Sequence, residues 1–285
     1  MSSTHSHPEG EVLSPGPPPV PEEAYTPAQA RRRREHSDWD PRSAPGTYFL
    51  LAINCAVYLW MVTHGVNPRD PSPAALLHYG ANSTILVLHG QWYRLLTATF
   101  VHVGLIHLAT NMWCLWNLGM LGEPLLGPMG MIAVYMLTGI AGNLLSMASN
   151  VILYSWTHER LILEIPGAGA SGAVFGIAGI LIVLLSNRRL PFPWRDLQQL
   201  RSRVVQFAAI NLVIGLATAL PFINFGIRID NMAHIGGFLC GLALGIPLVP
   251  RMTSGRERYL RRQKLTFAAA CLVLALFGYF IARLS

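Results

Sequence analysis

The sequence predicts an all-α fold, a polytopic bundle of transmembrane helices, on three observations. Of 285 residues, 52% are hydrophobic and only 12% are charged, about half the charged share of a soluble domain. Apolar runs long enough to cross roughly 30 Å of hydrocarbon recur along the chain. The basic residues gather at the ends of those runs, as topology signals do. The net charge of +7 therefore reads as membrane topology and not as a nucleic-acid surface.

Residues 1–45 contain no apolar core, are rich in proline and carry Glu9, Glu11, Glu22 and Glu23. They read as a disordered cytoplasmic tail, with the features of neither a signal nor a transit peptide. The run Arg31 to Arg34 reads as a retention signal for the first span, ahead of a contact with anionic lipid headgroups. Seven apolar segments follow, near 47–64, 95–121, 128–148, 170–186, 204–220, 232–249 and 265–283, delimited by proline, glycine and charge. Residues 251–264 read as a basic cytoplasmic linker. Residues 265–285 carry a seventh helix without a polar interior residue, suited to packing or anchoring. Trp194 and Tyr259 read as interfacial belt residues.

Of the 21 basic residues, all but Arg69, Arg94, Arg160, Arg228 and Arg283 fall in the tail or in the connections 187–203 and 250–264. The positive-inside rule then puts the N-terminus in the cytoplasm and the C-terminus outside. Cys55, Cys114, Cys240 and Cys271 lie inside apolar segments without a CxxC pair and read as packing residues.

Two residues stand out against this background, because polar side chains within a bilayer are costly and by default functional. Ser171 opens the fourth segment in Gly169-Ala170-Ser171-Gly172, and His234 opens the sixth. Both segments run from outside to inside, so both residues lie toward the outer leaflet. Residues 171–186 and 234–249 each give roughly 24 Å of helix, less than the hydrocarbon thickness. The two helix starts should therefore sit below the surface, beside a space for water. A serine hydroxyl needs a neighbouring base to act as a nucleophile, and histidine is the usual one. Gly172 and Gly176 on one helix, with Gly237, Gly241 and Gly245 on the other, supply the small-residue spacing for close helix contact in lipid. Acyl transfer also needs donors for a tetrahedral oxyanion. The Ser171 N–H at its helix start is one candidate. His102, His107 and Asn111 of the second segment are others, the last two sharing a helix face.

GxSG at 169–172, the His-x4-His-x3-Asn run at 102–111 and HxxGxxxG at 234–241 stand in one order and separation. In these motifs, over about residues 47 to 250, the chain resembles the rhomboid intramembrane serine proteases. The stretch Leu76 through Gly127, Glu123-x3-Gly127 and Tyr135 also fit. The resemblance implies a six-helix protease core, here 46–250, plus one C-terminal helix, in the inner (plasma) membrane of a bacterium. It implies Ser171 as nucleophile, His234 as general base without a triad acid, and His107 with Asn111 as oxyanion donors beside Ser171. His102, Gly169, Gly172, Gly237, Gly241, Phe175, Arg94 and Glu123 would support them. It implies no cofactor and no metal, lipid as surroundings, and single-span membrane proteins as substrates, cut through an acyl-enzyme. Two departures are visible. The family's Trp-Arg pair aligns with Tyr93-Arg94, with Trp92 one place earlier, and Phe175 stands where many relatives have tyrosine.

Each residue also has a plainer reading. Ser171 alone would be a small packing residue and His234 alone a buried structural one; together they favour catalysis. His102 reads as a brace for the first loop, Arg94 and Glu123 as loop pins, and Asp230 as a helix N-cap rather than a triad acid. The rival functions are a non-catalytic rhomboid-like escort of membrane proteins, a zinc site at His102, His107 and His234, and a transporter. The first requires loss of Ser171 or His234. The second lacks HExxH, since His158-Glu159 is followed by Arg160-Leu161-Ile162. The third lacks an inverted repeat. An aspartyl protease lacks an aspartate within any span.

Overall fold

The computed structural model describes residues 42–188, 190, 192–218, 229–249 and 255–284. Most of the expected tail lies outside them, as do Arg31 to Arg34, Arg189, Arg228 and Arg251. The chain forms α1 (Pro45–Thr63), α2 (Pro73–His78), α3 (Thr84–Leu88), α4 (Arg94–Thr97), α5 (Leu105–Leu126), α6 (Pro128–Thr157), α7 (Leu161–Glu164), α8 (Ser171–Leu184), α9 (Trp194–Thr218), α10 (Asn231–Leu248) and α11 (Arg256–Leu284). Helices α1, α6, α9, α10 and α11 are long and apolar enough to cross a membrane. Each expected apolar segment holds one of the long helices or α8.

Several boundaries differ from the sequence reading. The second segment does not run unbroken from 95. Gly104, at φ +130° and against the carbonyl of Arg69, breaks the chain, and α5 begins only at Leu105, whose N–H bonds the Pro68 carbonyl at 2.9 Å. The helix of the third segment, α6, continues past 148 to Thr157, and the polar side chains in that extension find partners. Ser149 donates to the Ser146 carbonyl and Asn150 to Thr84 Oγ1. Helix α9 absorbs much of the first basic connection, since buried Leu197 and Val204 continue its inner face. The expected linker 251–264 likewise becomes, from Arg256, the first turns of α11.

Helix α8 sits at the centre. Eleven of its 14 residues are buried, and it packs chiefly on α10 and α6. At 14 residues it spans roughly 21 Å, short as expected. The sixth is not as short: it starts at Asn231, three residues before His234, and its 18 residues span roughly 27 Å. Asp230 caps that start, Oδ1 accepting from Ala233 N–H at 3.0 Å.

Without water-driven burial between helices, association in lipid rests on close packing. The α8–α10 seam is backbone against backbone. A Cβ on Gly237 would run into the Gly172 carbonyl, one on Gly241 into the Gly176 carbonyl, and one on Gly179 into that of Phe238. Helix α6 joins the seam, where a Cβ on Gly142 would lie 2.5 Å from the Ala233 carbonyl oxygen. A carbonyl cannot swing away as a side chain can, so added volume must part the helices.

Gly241→Ala is expected to lower the thermal unfolding midpoint in detergent by about 5 °C or more. Gly255→Ala, where an added Cβ meets nothing within 4 Å, serves as the control and should leave it unchanged. Equal midpoints for both variants would contradict the seam.

Candidate active site

The segment 166–169 enters the bundle before α8 and is clamped from two sides. Asn82 and Gly167 form a two-bond antiparallel bridge, both at 2.8 Å, and Gly169 N–H bonds the Ala98 carbonyl at 2.9 Å. Gly169 has φ +136°, a conformation that L side chains rarely adopt. A Cβ there would also lie 2.6 Å from His107 Cε1 and 3.0 Å from His107 Nε2. Only glycine lets the chain turn under that ring, and Ser171 follows as the first residue of α8. The first N–H groups of a helix have no intrahelical partner, so the Ser171 N–H is available to a ligand.

His234 lies in the first turn of α10 and is 5% exposed. Its ring stacks on Phe175, with centroids 4.2 Å apart and planes 13° from parallel. A phenyl ring thus fills the stacking position. His234 Nδ1 is buried without a hydrogen-bond partner among the described residues, which leaves Nε2 as the nitrogen open to the site. Asp230 does not back the ring, because its oxygens are taken by the Ala233 N–H and by the Ser146 hydroxyl.

The facing wall comes from α5. His107 Nδ1 accepts the Val103 N–H at 3.4 Å, which puts the ring proton on Nε2, the nitrogen over Gly169. Asn111, 6% exposed, uses one amide hydrogen on the His107 carbonyl at 2.9 Å and keeps a second. His102 is fully buried. It contacts the Phe100 carbonyl through Nδ1 at 3.2 Å, and its ring lies 5.4 Å from that of His107.

Ser171, His234, His107 and Asn111 all line one cavity of about 500 Å³, whose walls include Asn82 and Asp230. Gly169 and Gly172 line it too, while Gly237 and Gly241 stand behind it in the helix seam. Among the described residues no hydrogen bond links the Ser171 hydroxyl to His234. In unliganded sites such bonds are often long and tighten around substrate. Among the described residues no three His, Cys, Asp or Glu side chains gather where they would hold a metal.

Arg94 and Glu123 lie away from the cavity. Arg94 donates to the carbonyls of Leu77 and Ala81 at 2.7 and 2.9 Å and to Gln91 Oε1 at 2.7 Å, tying the first loop together. Glu123, 3% exposed, receives the N–H groups of Gly46 and Thr47 and the Thr47 hydroxyl at 2.6–2.8 Å. It caps α1, where the helix dipole favours an anion. Tyr135 donates to the Thr99 carbonyl at 2.9 Å, fixing the chain just before His102.

The sequence reading missed Asn82 and Ala98, which hold the 166–169 segment. Ala98 acts through its backbone and leaves no mark in the sequence. Asn82 had a weak one, as part of a polar Asn-Ser-Thr run between apolar stretches.

The family model described as Rhomboid domain matches residues 89–251. Rhomboid protease AarA of Providencia stuartii is 32% identical over 216 residues, 71% of this chain and 72% of its own length. Rhomboid protease GluP of Bacillus subtilis is 30% identical over 224 residues, 77% of this chain but 38% of its own length. Rhomboid-like protease 2 of Toxoplasma gondii is 26% identical over 262 residues, 87% of this chain and 84% of its own. Together with five helices, among the described residues, fit to cross a bilayer, these matches describe an integral multi-pass membrane protein. With more than half of its length under the family model, the chain belongs to the rhomboid family.

Proposed function

We propose that this chain is an intramembrane serine endopeptidase that cuts membrane proteins in or near a transmembrane segment. The observation that carries the proposal is the shared cavity. Ser171 and His234, from the first turns of two helices in backbone contact, open onto one cavity that His107 and Asn111 also line. The relatives named as proteases support the same reading.

In the proposed reaction Ser171 Oγ attacks the scissile carbonyl carbon while its proton passes to His234 Nε2. The carbonyl oxygen becomes an oxyanion and receives hydrogen bonds from His107 Nε2–H, the free Asn111 amide hydrogen and the Ser171 N–H. As the intermediate collapses, the C–N bond breaks and His234 gives its proton to the leaving amine, leaving an ester on Ser171. A water from the cavity then attacks the ester carbon while His234 takes its proton; the C–Oγ bond breaks, His234 returns the proton to Ser171 Oγ, and the second product leaves as a carboxylic acid. Phe175 holds the imidazole plane in place of a third acidic residue. The substrates of this reaction are single-span membrane proteins. The catalytic core spans residues 46–250. The membrane proposed for it is a bacterial plasma membrane; the N-terminus is placed in the cytoplasm, an orientation supported by the distribution of basic residues.

A fluorophosphonate probe on the detergent-purified protein is expected to label Ser171, with labelling lost in Ser171→Ala and slowed about 10³-fold or more in His234→Ala. Labelling that persists without Ser171, or is indifferent to His234, would refute the dyad. Orientation is tested with a membrane-impermeant thiol reagent on intact cells, the native cysteines replaced by serine. Arg283→Cys should react and Ser202→Cys should not; the reverse pattern would invert the topology.

A further inference from the structure

Helix α11 lies outside the six-helix core, yet it is not only an anchor. Gln263, Phe267, Ala270, Leu274, Gly278 and Ile281 form one inward stripe, buried or half-buried, at the three- and four-residue spacing of a helix face. The opposite face, with Leu265, Leu272, Val273 and Phe280, is 58–63% exposed, as a lipid-facing surface is.

Both ends of the stripe hold something that bears on the cavity. At one end Gln263, 6% exposed, donates to the Leu126 carbonyl at 2.9 Å, the last residue of the helix that carries His107 and Asn111. A Cβ on Gly130 would collide with its amide, so the side chain is wedged and the axial register of α11 is fixed. Fifteen residues on, about 22 Å along the axis, Gly278 meets Trp92. A Cβ on Gly278 would lie 3.2 Å from the indole. One turn further Ile281 joins Val87 and Leu95 of the first loop in a buried apolar cluster with Leu144, Met147 and Val151 of α6.

Those first-loop residues lead straight to the nucleophile. The Leu95 carbonyl is held by Asn143 at 2.8 Å. Three residues later the Ala98 carbonyl takes the Gly169 N–H, and Ser171 follows two residues on. We infer that α11 is a positioning element of the active site: Gly278 seats Trp92, Trp92 and Leu95 fix α4, and α4 sets the 166–169 segment through Ala98. The displaced tryptophan of the first loop thereby finds its place, packed on the extra helix. The inference rests on the protease reading above.

The test is a double-mutant cycle on the full chain. Gly278→Leu should lower kcat on a transmembrane substrate by roughly tenfold or more, leave KM within about twofold, and reduce hydrogen-exchange protection over residues 94–104 and 166–170. If the effect travels through the indole, Trp92→Ala removes the tighter of the two contacts, the other being Leu144 Cδ2 at 3.4 Å, and the double variant should be no worse than Trp92→Ala alone. Additive losses would overturn the inference. So would protection that falls equally across all helices, or a variant whose exchange in 166–170 matches the wild type. The exchange readout needs no activity, so the positioning of 166–170 is judged even if wild-type Ser171 fails to label, which would sink the protease reading alone.

Discussion

The constraint on which the structure depends is the distance between the α8 and α10 axes. Gly237 and Gly241 of α10 and Gly179 of α8 let the two backbones touch, and at these three positions no side chain larger than hydrogen fits between them. That contact puts two polar residues, each from a different segment of the chain, at the rim of one cavity. In water such a seam would add little to apolar burial. In lipid, close packing is the main source of helix association, so the seam both holds the core together and sets the site.

Polar groups within the bundle follow the same logic, since a buried group without a partner costs far more in hydrocarbon than at a wet surface. Glu123 is committed to the α1 N-terminus, Asn54 and Tyr135 to each other, Asn143 to Leu95, and Asp230 to α10 and Ser146. Among the described residues, the buried atoms left without a hydrogen bond include His102 Nε2 and His234 Nδ1. Asn82 Oδ1 and Asn231 Oδ1, on two residues that line the cavity, are likewise without a partner among the described residues, as is Arg262 Nε on α11, away from it.

What was legible in the sequence was whatever a local signal carries. Apolar runs revealed the helices, and the break at Gly169 revealed where α8 starts, because a glycine-rich turn is a local event. The spacing of His107 and Asn111 put them on one face, and the Gly237/Gly241 repeat announced a close seam. Glu123 could be recognised as a pin from its type and setting, but its partners lie 76 and 77 residues away and were not visible. The start of α5 was misread because the chain remains apolar through 95–104. The break there is set by contacts with Pro68 and Arg69, in a loop some 36 residues earlier. Gln263 was hidden among Arg261, Arg262 and Lys264, where nothing local separates a wedged amide from solvated charges. Ala98 and the Asn82 bridge act through the backbone and have no side-chain signature.

The proposed site is a geometric arrangement: two touching helices would present one nucleophile and one base to a common reacting atom, with His107 and Asn111 as donors to it. A crystal structure of the protein after reaction with a fluorophosphonate tests it most directly. Phosphorus is expected to be bonded to Ser171 Oγ, with the His234 ring within about 3 Å of that oxygen and the phosphoryl oxygen held by His107 and Asn111. An adduct on another residue, or one at Ser171 with the His234 ring turned away and the phosphoryl oxygen facing neither donor, would contradict it.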